Sequence, residues 1–271
     1  MFPTKKSLGQ NWLTNPTIVA EILKAGEVRP LDRVLEIGPG EGTLTTALLG
    51  VGAKVIAVEK DDRLIDFLND KFAKEIGSGQ FTLIHGDILE VLPGDLGLKN
   101  GEYKLIANIP YYLTGQILRN FLESNCQPAS MVLMVQKEVA ERIVGSRTPN
   151  KLKESILSIS VKAYGEPKYV RTVARGNFQP VPNVDSAVLL IDNISKDFFT
   201  HQKSGGQADL SENRFFEVVK KGFSAKRKML KGNLSLSDET LAICDIPVKA
   251  RAENLSLEQW RCLAKQMKNV K

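Results

Sequence analysis

Short apolar runs alternate with amphipathic segments over the first half of the chain. The runs are rich in β-branched residues and read VLEIG (34–38), KVIAVE (54–59), FTLIHGD (81–87), YKLIANI (103–109) and SMVLMV (130–135). Segments with helical spacing of apolar residues separate them, at 43–50, 61–76 and 114–124. Strands that are apolar on both faces and are joined through helices predict a parallel sheet with helices on each side.

The pattern changes after this region. A helix and two further strands are predicted at 152–163, 168–174 and 185–191, so about seven strands precede residue 192. A polar stretch with a glycine pair, 195–213, predicts a linker or long loop. Only helical periodicity follows, at 212–231, 237–244 and 256–268, with Asp238 and Ser256 at expected N-cap positions. We therefore predict an α/β domain over residues 1–195 and a small all-helical domain over 196–271.

The distribution of charge follows the same division. The chain has 271 residues and a formal net charge of +6. Residues 1–195 carry 22 basic and 22 acidic side chains, whereas residues 196–271 carry 15 basic and 9 acidic ones. This excess indicates a polyanionic partner for the tail, or else only a solubilising basic surface.

Composition and cysteine usage exclude several classes of protein. No apolar run approaches the roughly 20 residues that span a bilayer, and the N-terminus lacks an apolar signal core. We therefore expect a cytoplasmic protein without a membrane partner. Cys126, Cys244 and Cys262 are far apart and show no CxxC spacing, so we expect reduced, packed thiols and no metal site.

A glycine-rich turn, EIGPGEGTLT (36–45), joins the first strand to a helix. Glycines there let a ligand approach the backbone and the helix N-terminus. The next strand ends in Glu59, 21 residues after Gly38, where an acid accepts ribose hydroxyls in doubly wound folds. A tight turn without a ligand is the alternative, but strand, turn, helix and acid together favour a ribose-bearing cofactor.

The glycine spacing indicates which cofactor this is. The sequence G-P-G-E-G departs from the dinucleotide pattern G-x-G-x-x-G, and Glu41 would repel a pyrophosphate. This disfavours an NAD-dependent dehydrogenase, for which the sequence also lacks a proton donor, and favours S-adenosylmethionine, which has a ribose and no phosphate. Asp87, at the end of the third strand, is placed to accept the adenine amine of that cofactor, to cap a helix, or both.

The fourth strand ends in NIPYY (108–112) at the same sheet edge. Methyl transfer to the N6 amine of adenine is one reaction that suits these residues. That amine is a poor nucleophile, and the Asn108 side-chain oxygen and the Pro110 carbonyl could accept its hydrogens as it attacks a methyl group. Tyr111 offers a flat face for stacking, and placement rather than a strong base supplies most of the acceleration. The alternative is a turn cap at Asn108 and two core tyrosines; we adopt it only for Tyr112.

A second aromatic candidate lies in GNFQPVPNVDS (176–186). A base within RNA must be extruded to reach such a pocket. Phe178, which precedes two prolines, is predicted to pack against the other face of that base. The alternative is that Phe178 is a hydrophobic plug for the loop.

Several motifs occur in a fixed order: KSLGQNWL (6–13), EIGPGEGTLT (36–45), VEKD (58–61), GDIL (86–89), NIPYYLTG (108–115), QKEVAERI (136–143) and NFQPVPNVDSAV (177–188). Together they resemble the rRNA adenine N6,N6-dimethyltransferases over nearly the whole chain. GxGxG is shared by many methyltransferases, whereas NIPY narrows the choice to amino-methyltransferases, and F-x-P-x-P-x-V-x-S with LGQN narrows it to this family. The resemblance implies a class I methyltransferase fold, with a Rossmann-like seven-stranded sheet, helices on both faces and a small C-terminal helical domain.

The family has two main branches. LGQNWL, VDSAV and the short helical tail resemble the branch that dimethylates two adjacent adenines in the 3′-terminal hairpin of small-subunit (16S) rRNA, within an immature small ribosomal subunit. The other branch modifies a large-subunit adenine and confers macrolide resistance. Trp12 replaces the more usual Phe. A binding protein that acts only in ribosome assembly is the alternative from a different class.

The resemblance also implies roles by position. It places Gln10, Asn11 and Leu13 over the cofactor. The alternative is that these residues belong to a disordered N-terminal arm. It places Gly38 and Gly40 at the methionine end, Glu59 at the ribose, Asp87 at the adenine, and Asn108 at both cofactor and target. Phosphate contacts in the tail are expected from Lys220, Lys221, Lys226, Arg227, Lys228 and Lys231, with a solvated helix face as the alternative. We expect a monomer.

Overall fold

The computed structural model describes residue 5 and residues 9–145, 153–200, 210–225 and 227–267. Backbone contacts divide the chain into two compact units, Met1–Ala140 with Glu166–Ile194 and Glu141–Gly165 with Ser195–Lys271. Segment 141–165, which the sequence assigns to the first domain, thus clusters with the C-terminal residues. Within the described ranges, no helix has both the length and the apolar character needed to cross a membrane.

All seven predicted strands are confirmed in the first unit, together with a two-residue pair that the pattern does not predict. In chain order the strands are β1 (Trp12–Leu13), β2 (Arg33–Ile37), β3 (Lys54–Glu59), β4 (Phe81–His85), β5 (Lys104–Asn108), β6 (Ser130–Gln136), β7 (Glu166–Val173), β8 (Phe178–Gln179) and β9 (Ser186–Asp192). The unpredicted pair is β1 with β8, which run antiparallel.

The seven longer strands form one sheet in the order β4-β3-β2-β5-β6-β9-β7. The first five are parallel, as predicted. Strand β9 is antiparallel to both of its neighbours, β6 and β7, so the sheet is mixed. The predicted class, an α/β fold with a seven-stranded Rossmann-like sheet and a helical C-terminal part, is confirmed.

The strand order reverses beside β2. From β2 the chain moves outward through β3 and β4 and then returns to β5 on the other side of β2. Right-handed crossovers place the helices before and after this reversal on opposite faces of the sheet. Ligands in such sheets bind in the crevice outside the carboxyl ends of the strands at this point.

Two helices of the first unit, α1 and α3, begin at side-chain caps. Asn15 accepts a hydrogen bond from the Thr17 amide at 2.9 Å, and Asp61 accepts one from the Arg63 amide at 3.3 Å. The predicted helix at 61–76 is in fact two helices that meet at Phe72. The helices are α1 (Pro16–Ala25), α2 (Thr43–Gly50), α3 (Asp62–Lys71), α4 (Ala73–Gly77) and α5 (Thr114–Leu122), while α6 (Lys137–Val144) crosses the division between units.

The second unit is helical, with α7 (Ile156–Lys162), α8 (Asp197–Thr200), α9 (Glu212–Gly222), α10 (Leu230–Leu234), α11 (Asp238–Ile243) and α12 (Leu257–Gln266). The prediction of one helix over 212–231 is wrong, because α9 ends at Gly222. A Cβ at Gly222 would lie 2.4 Å from the buried Trp260 ring, so α9 and α12 approach closely there. Ser256 caps α12 as predicted, whereas α11 is capped by Ser237 and not by Asp238.

The expectation of three reduced cysteines is wrong. Cys244 follows α11, Cys262 lies on α12, and a disulfide joins them across a Cα–Cα distance of 5.6 Å. Cys126 is a free thiol. A sequence separation of 18 residues carries no sign of this pairing, because the packing of α11 against α12 brings the two thiols together.

Candidate active site

A cavity opens at the carboxyl ends of β2, β3, β4 and β5. Nine of the residues predicted from the sequence line it: Gln10, Asn11, Gly38, Gly40, Glu59, Asp87, Asn108, Pro110 and Tyr111. Leu13 and Phe178 do not line it. The parallel register of the four strands explains the convergence, since their last residues all lie along one sheet edge.

The glycine turn after β2 forms one wall of the cavity. Gly38 and Gly40 have φ values of 62° and 59°, a region that favours glycine. A Cβ on Gly40 would lie 3.0 Å from the Trp12 indole, so the backbone and this ring are in close contact. A Cβ on Gly38 would meet nothing within 4 Å, so there is open space beside the backbone at this cavity-lining residue.

Glu59 lies at the floor of the cavity, where β3 ends. Its side chain accepts hydrogen bonds from the Gly40 amide at 3.1 Å and from the Asp61 amide at 2.8 Å. Only 5% of its surface is exposed, and this burial raises the pKa of the Glu59 carboxyl. Both oxygens retain lone pairs that can accept further hydrogens. The predicted contact with a ribose stays a prediction.

Asp87 follows β4 and contacts a cation that the sequence reasoning missed. The Lys60 ammonium donates to its carboxylate at 2.6 Å and lowers the pKa of Asp87. The other carboxylate oxygen accepts the Leu89 amide at 3.0 Å and holds a turn, not a helix, at residues 88–90. Lys60 stands in the VEKD motif, but only the pairing of β3 with β4 brings it beside Asp87.

Asn108, the last residue of β5, has a fixed amide orientation. Its Nδ2 donates to the main-chain carbonyl of Asn11 at 2.8 Å. A carbonyl only accepts hydrogen bonds, so the nitrogen must face Asn11 and the side-chain oxygen must face away from it. Asn108 therefore presents an acceptor and not a donor to whatever lies on its other side.

The two tyrosines after Pro110 have different environments. The Tyr111 hydroxyl shares a 2.7 Å hydrogen bond with the Ser186 hydroxyl, and burial raises the pKa of Tyr111. Tyr112 is 62% exposed and lines the cavity. The expectation that Tyr112 is a core residue is therefore wrong, because the turn after β5 directs its ring outward over the cavity rim.

Leu13 and Phe178 are neighbours in the core. They face each other across the β1–β8 pair, and their exposures are 5% and 2%. Both belong to one cluster of buried hydrophobic residues. This buried position agrees with the alternative interpretation, in which Phe178 is a hydrophobic plug for the loop. The contact of Phe178 with a base stays a prediction.

The predicted phosphate-binding residues lie in the second unit. Lys220 and Lys221 are in the last turn of α9, and Arg227 and Lys228 are exposed in the segment before α10. Lys231 pairs with Asp238 at 2.7 Å. Lys226 lies outside the described residues. Whether any of these side chains binds RNA stays a prediction.

A buried acid beneath the glycine turn was not singled out from the sequence. Glu36 in β2 is 1% exposed, and the Thr45 hydroxyl donates to its carboxylate at 2.7 Å. Burial, assisted by the charge of Glu59, raises the pKa of Glu36 to about 8. The residue stands inside the EIGPGEG motif, but the sequence alone does not distinguish it from an exposed acid.

Solved structures place this architecture in a known class. The dimethyladenosine transferase from Plasmodium falciparum matches with a TM-score of 0.75 and 25% identity, over 93% of this chain and 95% of that one. The 23S rRNA methyltransferase ErmE matches with a TM-score of 0.73 and 25% identity, over 96% of this chain and 100% of that one. The fold and the site together define a class I methyltransferase.

The sequence comparison is more specific. The family described as ribosomal RNA adenine dimethylase matches residues 1–269. A ribosomal RNA small subunit methyltransferase A from Dehalococcoides mccartyi is 40% identical over 267 residues, which cover 96% of this chain and 87% of that protein. The chain belongs to the ribosomal RNA adenine dimethylase family. The resemblance stated from its motifs is thereby confirmed.

Glu36→Gln tests the charge state of the acid under the turn. The pKa of Glu36 is near 4.5 in the unfolded chain and about 8 in the folded protein. The protein therefore loses stability as pH rises through this window, because the unfolded chain releases the proton first. The amide cannot titrate, so the variant should gain roughly 1 kcal/mol per pH unit over the parent in this window. Thermal unfolding at pH 5, 6.5 and 8 measures the difference.

The exposed Glu102→Gln is the matched control and should follow the parent at each pH. Parallel stability curves for Glu36→Gln and the parent between pH 5 and 8 would show that Glu36 is ionised in the folded protein.

Proposed function

We propose that this protein transfers methyl groups from S-adenosylmethionine to the N6 amines of two adjacent adenines in the 3′-terminal hairpin of small-subunit rRNA. The products are N6,N6-dimethyladenosines in an immature small subunit. The relative from Dehalococcoides mccartyi, named for the small subunit, supports this substrate at 40% identity. The observation that carries the chemistry is the Asn108 amide, which turns its oxygen away from Asn11 at the cavity wall.

The cavity suits a nucleoside that carries no phosphate. Its acceptors are carboxylates, Glu59 and Asp87, which suit ribose hydroxyls and an adenine amine and would repel a pyrophosphate. Apolar side chains of Ile37, Val58 and Ile88 line the rest. The space beside Gly38 could admit the methionine end against the backbone. When bound, S-adenosylmethionine supplies an electrophilic methyl group on a positively charged sulfur.

Residues at the end of β5 and just after it act on the target amine. The Asn108 oxygen and the Pro110 carbonyl accept its two hydrogens and so favour a lone pair directed at the methyl carbon. The nitrogen would take up the methyl group that bound S-adenosylmethionine supplies and would then release a proton to water. Tyr111 gives one stacking face. For Phe178 to give the other, its ring must leave the hydrophobic cluster.

The second unit supplies phosphate contacts. Lys220, Lys221, Arg227 and Lys228, with Lys226, would position the RNA without reading its sequence. We propose that the enzyme acts as a monomer in the cytoplasm.

The large-subunit specificity of the structural neighbour ErmE is the nearest competing function. ErmE is 25% identical to this chain, whereas small-subunit relatives from three bacterial genera are 34–40% identical. This difference favours the small subunit. A protein that only binds RNA during assembly would not need the complete set of cavity residues Glu59, Asp87 and Asn108.

Asn108→Ala removes the amide oxygen and should lower kcat by about 100-fold or more, as loss of a preorganised polar group does. Cofactor affinity should fall less than about tenfold, because the carboxylates remain. Methyl transfer to immature small subunits and calorimetry with the cofactor measure the two effects.

Asn69→Ala, an exposed change of the same type on α3, is the control and should leave both quantities unchanged. Full activity in Asn108→Ala would refute the proposed chemistry.

Arg227→Ala combined with Lys228→Ala should weaken RNA binding by an amount that depends on salt. Each lost phosphate contact reduces the slope of log K against log salt by about 0.7–0.9, so the pair should reduce it by about 1.6. Filter binding with the 3′-terminal hairpin RNA at several salt concentrations gives the slope.

Lys54→Ala combined with Lys74→Ala removes two exposed lysines of the first unit and should not alter the slope. Equal slopes for the two double variants would mean that the basic tail does not contact phosphate.

A further inference from the structure

A buried carboxylate lies just outside the cavity and is not explained by the chemistry above. Asp61, two residues after Glu59, is 0% exposed. Its carboxylate accepts hydrogen bonds from the Lys5 ammonium at 2.9 Å and from the Gln10 amide at 2.9 Å. The Arg63 guanidinium donates two more, at 2.9 and 2.6 Å. These cations hold the pKa of Asp61 far below its usual range, so it is charged at neutral pH.

Two of these donors come from the N-terminal part of the chain. The Lys5 amide also donates to the Gln10 side-chain oxygen at 2.8 Å, so Lys5, Gln10 and Asp61 form one closed set of hydrogen bonds. Asp61 thus ties this segment to the end of β3. Its own amide donates to Glu59, which places the tie directly beside the cavity floor.

We call residues 9–12 the N-terminal strap, because all four line the cavity. Each is held at a different point. Gly9 packs against the Tyr112 ring, where a Cβ would lie 3.1 Å from a ring carbon, and Trp12 packs against Gly40. Gln10 is held by Asp61, and the next residue, Asn11, offers its carbonyl to the Asn108 amide.

We propose that Asp61 is a positioning residue for methyl transfer, which acts through Gln10 and the Asn11 carbonyl to orient the Asn108 amide and to hold the strap over the cofactor. This proposal rests on the proposed function. Asp61 itself touches neither cofactor nor target. If the strap shifts, Asn108 loses the acceptor that fixes its amide, and the wall over the cofactor opens.

The negative charge is the property that matters. Asparagine also caps helices well, so Asp61→Asn preserves the start of α3. The neutral amide replaces one acceptor oxygen by a donor and removes the anion that Lys5 and Arg63 share, so the strong, charge-assisted hydrogen bonds to Asp61 are lost. Asp62 next to it is the natural comparison. Its side chain is 70% exposed and contacts Lys5, but it does not contact Gln10.

The test compares Asp61→Asn with Asp62→Asn. Steady-state methylation of immature small subunits gives kcat and KM for S-adenosylmethionine, and calorimetry gives the cofactor affinity separately. Asp61→Asn should raise KM and Kd for the cofactor about tenfold, equivalent to one lost charge-assisted hydrogen bond, and should lower kcat at saturating cofactor. Asp62→Asn should stay within about twofold of the parent in all three quantities.

Gln10→Ala breaks the hydrogen bond between Gln10 and Asp61 from the other side and leaves α3 unchanged. It should reproduce the direction of both effects, and the double variant should be no worse than Asp61→Asn alone, since both changes break one connection. Effects that add in full, or an Asp61→Asn enzyme that behaves like Asp62→Asn, would overturn the proposal.

The calorimetric arm separates this proposal from the proposed function. If the parent methylates no small-subunit RNA, the proposed function fails, while an affinity loss confined to Asp61→Asn and Gln10→Ala still supports the strap. If the parent methylates RNA and neither variant changes kcat, KM or Kd, only the role of Asp61 fails.

Discussion

The hydrogen bond from the Asn108 amide to the Asn11 carbonyl is the contact on which the rest of the site depends. Because a carbonyl cannot donate, this single contact determines that the nitrogen end of the amide faces Asn11 and the oxygen end faces away from it. It also joins two parts of the chain that are far apart in sequence, the N-terminal strap and the end of β5. The sheet makes the contact possible, since the reversal of strand order beside β2 brings the carboxyl ends of four strands to one crevice.

Three buried acids around this crevice show how the surroundings set the charge. Glu36 meets neutral donors of Thr45 and no cation among them, and burial raises its pKa to about 8. Glu59 meets two backbone amides, and its pKa is also raised by burial. Asp61 meets one arginine and one lysine, and its pKa is lowered. Asp61, outside the cavity wall, is therefore a permanent anion. The acids at the turn and at the cavity floor, Glu36 and Glu59, ionise less readily.

Much of this arrangement could be predicted from the sequence, because it depends on local pattern. Apolar runs located the strands, and the parallel register then brought Gly38, Glu59, Asp87 and Asn108 together. Features set by long-range packing were not predictable. Tyr112 is exposed because of the turn geometry, Phe178 is buried by the β1–β8 pair, and Cys244 meets Cys262 only once α11 and α12 pack. Asp61 carried no signal beyond its place as a helix cap, since Gln10 and Lys5 are 51 and 56 residues away.

A crystal structure of the protein with S-adenosylhomocysteine and the 3′-terminal hairpin RNA tests the central claim most directly. The account predicts an extruded adenine whose N6 lies about 3 Å from the Asn108 side-chain oxygen, a normal hydrogen-bond distance, while Nδ2 stays on the Asn11 carbonyl. An adenine amine beyond hydrogen-bond reach of Asn108, or a cofactor bound away from the ends of β2 and β3, would contradict it.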